Sequence, residues 1–226
     1  MFNLNFSTEW LVSILLSIPG VLLALSVHEC AHGWMSYKLG DPTARNFGRL
    51  TLNPIKHIDP IGLLCMIFFR FGWAKPVPVN ARYYKKPRRD MALVAAAGPI
   101  SNLLMCFISV IVTHLSVFLF AAFADVPTET AVTLFSLWIT FLTNFTVLNA
   151  SLAVFNLIPV PPLDGSRIAF IFLPPKFYFG VMRYERYIQI ALWVLIFAGA
   201  FDRILSFFVN GIVDGLYALV QLIPIF

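Results

Sequence analysis

Residues 91–124 read MALVAAAGPISNLLMCFISVIVTHLSVFLFAAFA, a run without a single Asp, Glu, Lys or Arg. About 20 such residues cross the hydrocarbon core of a bilayer as a helix. A first apolar run extends from near Trp10 to about Tyr37, and a third covers residues 130–157. The 226-residue chain is 59% hydrophobic and only 12% charged, too little charge to coat a soluble domain of this size. These runs predict an all-α polytopic membrane protein embedded in the lipid bilayer. The expected architecture is a single domain over 1–226, with about five to six membrane helices. Core helices fall at about 10–37, 91–124 and 130–158, and C-terminal helices at about 187–223. The tail from Asp202 to Phe226 reads equally as a crossing or as an amphipathic surface helix.

The formal net charge of +5 does not point to nucleic acid. Its bases sit in short connectors between apolar runs, chiefly Lys75, Arg82, Lys85, Lys86, Arg88 and Arg89, as the positive-inside rule arranges cytoplasmic loops. The segment before Trp10 has no base, whereas 38–56 has Lys38, Arg45, Arg49 and Lys56. That pattern puts the N-terminus outside, the 38–56 and 75–89 connectors in the cytoplasm, and DVPTE (125–129) outside again. Without a basic n-region, the N-terminus does not resemble a cleavable signal peptide. Cys30, Cys65 and Cys106 show no pairing pattern and read as small buried side chains.

The connector between the first two long helices is expected to hold structure of its own, over about 43–80. FGRLTLN (47–53) alternates loosely enough for a short strand. PIGLLCMIFFRFGW (60–73) is short for a crossing and flanked by bases on both sides, so it reads as a re-entrant or hairpin insertion. In AKPVPVN (74–80), each proline pushes the residue before it towards extended geometry.

Within the first run, SVHECAHGW places ionisable groups where they are expensive, and such groups usually mark function. His28 and His32 are i and i+4 on a helix, so their imidazoles share one face and can share a metal. Glu29 sits on the flank of that face, able to reach a metal-bound water without ligating. This is the arrangement of a zinc hydrolase, in which the metal lowers the pKa of its water and the glutamate takes the proton. A buried histidine pair with a counter-ion, or an ion pathway in a metal- or proton-coupled transporter, uses the same residue types. A catalytically inactive scaffold that binds helices would need none of them.

A tetrahedral zinc needs a third protein ligand and an open position for water. Candidates are His114, His57 and Asp59 in HIDPIG, and Asp164 in PPLDG. Glu29 lies nine residues before Lys38, roughly 13 Å above the cytoplasmic boundary at 1.5 Å per residue. Asp164 follows a descending span broken by prolines, which is expected to place it at that level. His114 lies towards the external side and reads as a packing or interfacial histidine. Gly98, Pro99 and Asn102 read as residues that permit close helix packing.

HECAH in a first helix, AAAGPISN opening a middle one and NLIPVPPLDG ending a later one resemble the site-2 protease family (peptidase family M50) of intramembrane zinc metalloproteases. GRLTLNP, HIDPIG and FGWAKPVPVN are similar to its compact prokaryotic branch without a PDZ domain, and the resemblance runs from about residue 20 to 175. It implies a zinc metalloendopeptidase of a prokaryotic inner or plasma membrane, with transmembrane protein substrates. By the same resemblance one Zn2+ per chain is bound by His28, His32 and Asp164, and Glu29 is the general base. It also points to Asn156 as a group that polarises the scissile carbonyl or holds substrate backbone. His57 is expected either as a transition-state group or as a cap on the loop backbone.

Overall fold

The computed structural model of the chain describes residues 8–62, 65, 72–123, 126–174, 180–181 and 183–222. Its first helix, α1 (Thr8–Lys38), continues through Pro19 and the histidine pair. A one-turn helix, α2 (Thr43–Asn46), follows. Single 3-10 turns lie at Pro54–Lys56 and Ala81–Tyr83. Then come α3 (Pro87–Phe123), α4 (Glu129–Asn156), the short α5 (Asp164–Ala169), α6 (Glu185–Phe197) and α7 (Asp202–Gln221).

Four of these, α1, α3, α4 and α7, are long and apolar enough to cross a membrane, against the five to six expected from sequence. The tail helix from Asp202 qualifies. The run before it does not, because α6 has only 13 residues, about 20 Å of rise against a core of about 30 Å.

The helix ends follow from their sequences. Pro87 opens α3, where its missing N–H costs no hydrogen bond. The Asp90 carboxylate reaches back to accept the Lys86 backbone N–H at 2.9 Å. Thr128 caps α4 by accepting the Ala131 N–H at 3.2 Å. Pro159, Pro161 and Pro162 end that helix and turn the chain into α5.

The long helices pack through small and polar residues, as expected where lipid removes the hydrophobic incentive to associate. Ala95, Gly98, Asn102, Cys106, Ser109 and Thr113 fall on one buried face of α3. Across it, the Ser109 hydroxyl donates to the Leu142 carbonyl of α4 at 3.1 Å. On the other side Gly20 of α1 lies against Phe145, whose ring would be 3.2 Å from a Cβ there. α7 covers α3 and α4 around Cys106, Ala150 and Val209.

The connector 39–86 differs from its sequence reading. Among the described residues it contains no strand, only one antiparallel bridge between Ile58 and Ala74. FGRLTLN is interrupted at Gly48, which has φ +63°. Beyond it Asn53 caps the Pro54 turn by accepting the Ile55 N–H at 3.1 Å. Turn chemistry therefore overrides the loose alternation. The bridge brings the two ends of segment 59–73 together. The path between them, where the re-entrant expectation falls, lies largely outside the described residues.

Candidate metal centre

His28 and His32 are one turn apart on α1, with ring centroids 4.6 Å apart and ring planes at 87°. Their Nε2 atoms are 3.0 Å apart. α5 delivers the third group, Asp164, whose Oδ2 lies 3.2 Å from each of those nitrogens. The reach is possible because Gly165 folds the chain back onto the end of α4. A Cβ at Gly165 would stand 2.2 Å from the Leu157 carbonyl oxygen.

The far side of each ring fixes what the near side offers. His32 Nδ1 is 2.7 Å from the Val94 carbonyl oxygen, which can only accept, so this nitrogen carries the proton. His28 Nδ1 is 2.5 Å from Asn102 Oδ1. Both Nε2 atoms are then left with bare lone pairs facing a carboxylate oxygen. Asp164 Oδ2 is buried without a hydrogen-bond donor. A single proton could satisfy one of these contacts; a divalent cation satisfies all three. Ligands about 2.0–2.1 Å from a tetrahedral zinc stand about 3.3 Å apart. The observed triangle of 3.0, 3.2 and 3.2 Å fits one face of that tetrahedron. The two-imidazole, one-carboxylate donor set also suits zinc.

Close packing confines the pair. At Gly98 of α3 a Cβ would lie 2.5 Å from His32 Nε2 and 2.6 Å from His28 Cε1, so only glycine lets α3 approach the rings. Glu29 points from the flank of α1, and its Oε2 accepts the Val77 backbone N–H at 2.8 Å. Behind Val77, Arg49 Nη2 donates to the Lys75 carbonyl oxygen at 2.5 Å. The chain carrying Val77 is thus held from both sides.

These groups open into a cavity of about 680 Å³ that His28, Glu29, His32 and Asp164 line together with Asn156 and Arg167. Residues of α6 and α7, including Trp193 and Leu205, form its far wall. Asn156 reaches the cavity, but its amide nitrogen donates back to the Leu152 carbonyl at 3.0 Å. His57 is not part of this lining. It is 1% exposed, and its Nε2 lies 2.8 Å from the Thr51 carbonyl oxygen. Nor is His114 part of it, with Nδ1 3.0 Å from the Val110 carbonyl oxygen on α3. Among the described residues, His28, His32 and Asp164 are the one group of three or more metal-ligating side chains close enough to share an ion.

The family model for peptidase family M50 matches residues 17–198. The chain belongs to peptidase family M50. It is 42% identical over 179 residues to a Bacillus subtilis (strain 168) protein named "Putative zinc metalloprotease YwhC", covering 77% of each chain. It is 32% identical over 155 residues to "Putative zinc metalloprotease Rip2" of Mycolicibacterium smegmatis (strain ATCC 700084 / mc(2)155). That match covers 67% of this chain and 54% of the relative, so the chain spans about half the length of that protein. No solved structure gives a significant match. Membership of M50 makes the chain a metalloprotease by family, and its four long apolar helices make it an integral membrane protein.

By its sequence context Asn102 reads as a packing residue; the structure puts its amide on His28. The signal was present, since Gly98 and Asn102 are i and i+4 and share the α3 face that meets the rings. Val94, which acts through its carbonyl, left no side-chain signal to read.

Proposed function

We propose that this M50 chain hydrolyses peptide bonds within transmembrane segments of other proteins, with His28, His32 and Asp164 holding one zinc ion and Glu29 acting as general base. The observation that carries the reading is the triangle of His28 Nε2, His32 Nε2 and Asp164 Oδ2, with each imidazole's Nδ1 set against an oxygen acceptor so that both Nε2 lone pairs are available to a metal. A zinc ion held by His28, His32 and Asp164 would supply Lewis acidity and would lower the pKa of a water there to about 7. Val77 occupies Oε2 of Glu29, which leaves Oε1 to take the proton of the attacking water. The same carboxyl can return that proton to the leaving amine. Asn156, on the cavity wall, is placed to turn its amide from Leu152 towards a substrate carbonyl. His57 is better assigned to holding the connector backbone than to the reaction.

Water access from the cytoplasmic side fits the end of α1. Lys38 Nζ lies 5.4 Å from the Trp34 ring, and the Arg45 guanidinium 5.2 Å from the Tyr37 ring. Aromatic and basic side chains of this kind gather at the headgroup level. Trp34 is six residues beyond His28, about 9 Å along the helix. A substrate helix must unwind to offer its scissile carbonyl, and the backbone of 72–80, which carries the bridging Ala74, supplies donors and acceptors for the opened stretch.

The test is cleavage of a co-reconstituted transmembrane substrate by wild type and Glu29→Gln, with zinc content measured on both. Full zinc with cleavage reduced by about 10²–10⁴-fold is the expected result. Cleavage that survives Glu29→Gln would remove the glutamate-base mechanism.

A further inference from the structure

Between α3 and α4 lies a line of buried amides that ends on the metal site. Asn149 of α4 and Asn102 of α3 are both 0% exposed. Asn149 Nδ2 is 2.8 Å from the Phe145 carbonyl oxygen. A carbonyl only accepts, so the Asn149 amide must present its nitrogen there and its oxygen towards α3. Asn102 Nδ2 lies 2.9 Å from that oxygen and therefore donates to it. The nitrogen of Asn102 also faces a second pure acceptor, the Ala24 carbonyl oxygen, at 3.5 Å. Its Oδ1 is thereby turned to His28 Nδ1, 2.5 Å away, and His28 has to be the donor. Each link is polarised by the one before it, starting from a main-chain carbonyl whose role cannot change.

We propose that Asn102, itself oriented by Asn149, is a positioning residue that locks His28 in its Nδ1–H tautomer and so holds the Nε2 lone pair on the metal. This rests on the reading of His28 as a zinc ligand. An imidazole ligand is set by the hydrogen bond its other nitrogen makes, and partners of this kind are typically worth 10–100-fold in metal affinity. The two histidines use different devices for the same end. His32 leans on a backbone carbonyl that no side-chain substitution removes, whereas His28 depends on a replaceable amide. The zinc affinity of this chain is therefore sensitive to α3 and α4 at positions that never touch the ion.

The readout is zinc affinity of the full chain in detergent, by competition with a chromophoric chelator, beside far-UV circular dichroism and elution profile. Asn102→Ala is expected to weaken zinc about 10–100-fold with helix content unchanged. Asn102→Asp keeps an acceptor for Nδ1–H, and as a buried neutral acid its O–H donates to Asn149 Oδ1; zinc affinity should stay near wild type. Asn149→Ala should produce a smaller loss in the same direction. His28→Ala separates the two levels of the claim. If it abolishes zinc binding while Asn102→Ala binds like wild type, the positioning role is wrong and the site stands. If His28→Ala binds zinc like wild type, the site reading fails and the proposal fails with it. Equal losses in Asn102→Ala and Asn102→Asp would make Asn102 a packing residue and overturn the proposal. A measurement that needs no altered α3 is 15N resonance of the histidine rings in metal-free wild type at alkaline pH, with His28→Gln assigning the signal. His28 should be the Nδ1–H form, and an Nε2–H form there would overturn the proposal.

Discussion

Gly98 is the residue whose replacement bears most directly on the histidine pair. An alanine methyl would enter the space of both imidazoles, and neither ring can step aside without giving up the hydrogen bond at its Nδ1. Overpacking of this kind costs about 1–3 kcal/mol. Gly98→Ala is therefore expected to lower zinc affinity roughly tenfold or more. Gly211, which has nothing within 4 Å of a built Cβ, is the matched control. Gly211→Ala should leave zinc binding as it is, and the two chelator-competition curves decide the matter. At this scale much of the site was legible. His28 and His32 announce themselves by spacing, and Asp164 by the proline-broken descent that precedes it. Asn102 was not, because a small polar residue in a run of Ala, Gly and Pro looks like packing until the facing helix is known.

At the scale of elements, the long apolar runs and the proline breaks carried the helices. The connectors were harder, because their order comes from contacts made by single polar groups. Asp41 is the case in point, being 0% exposed just beyond the end of α1. Its Oδ1 accepts the backbone N–H of Thr43 at 2.9 Å and also the Thr43 hydroxyl. Its Oδ2 accepts the Ser36 hydroxyl at 2.8 Å and the Asn80 N–H at 2.7 Å. Tyr84 adds its hydroxyl 2.7 Å from Ser36 Oγ. One carboxylate thus ties α1 to α2 and to the segment whose Val77 meets Glu29. Burial alone would raise its pKa, but the bonds from Thr43, Asn80 and Ser36 outweigh that and hold it below the usual aspartate value. A depressed folded-state pKa gives stability that is complete above the unfolded value, about 3.9, and lost as pH falls through the folded one. Asp41→Asn should be less stable than wild type near neutrality by about 1–3 kcal/mol. The gap should close as pH falls below about 4. Thermal unfolding midpoints of both proteins across that range check it, and a gap that stays constant to low pH would show that the charge is not what matters.

For the whole molecule, charge and hydrophobicity together set how the helices stand in the bilayer. The 31 residues of α1 and the 37 of α3 are each longer than a bilayer core requires. The excess of both extends into the basic connectors, where Lys38 ends α1, Arg45 and Arg49 follow it, and Lys85, Lys86, Arg88 and Arg89 surround the start of α3. The opposite end of α3 meets α4 through a connector that has no base, and Val126 in it is 90% exposed. The positive-inside rule then predicts the 38–56 and 75–89 connectors in the cytoplasm and residues 126–128 outside. It also puts the histidine pair nearer the cytoplasmic face, because only the last two turns of α1 separate His32 from Lys38. The chain's own Cys30, Cys65 and Cys106 can be replaced by alanine and a single cysteine introduced at Val126, Phe47 or Tyr83, all of them exposed side chains. In intact cells a membrane-impermeant thiol reagent should label the cysteine at 126 and spare those at 47 and 83. After permeabilisation all three should react. Labelling of 47 or 83 in intact cells would invert the orientation, and with it the side from which water reaches Glu29. The triangle of His28, His32 and Asp164 would be unaffected, because its geometry depends on how α1, α3 and α5 pack and not on which face of the membrane they approach.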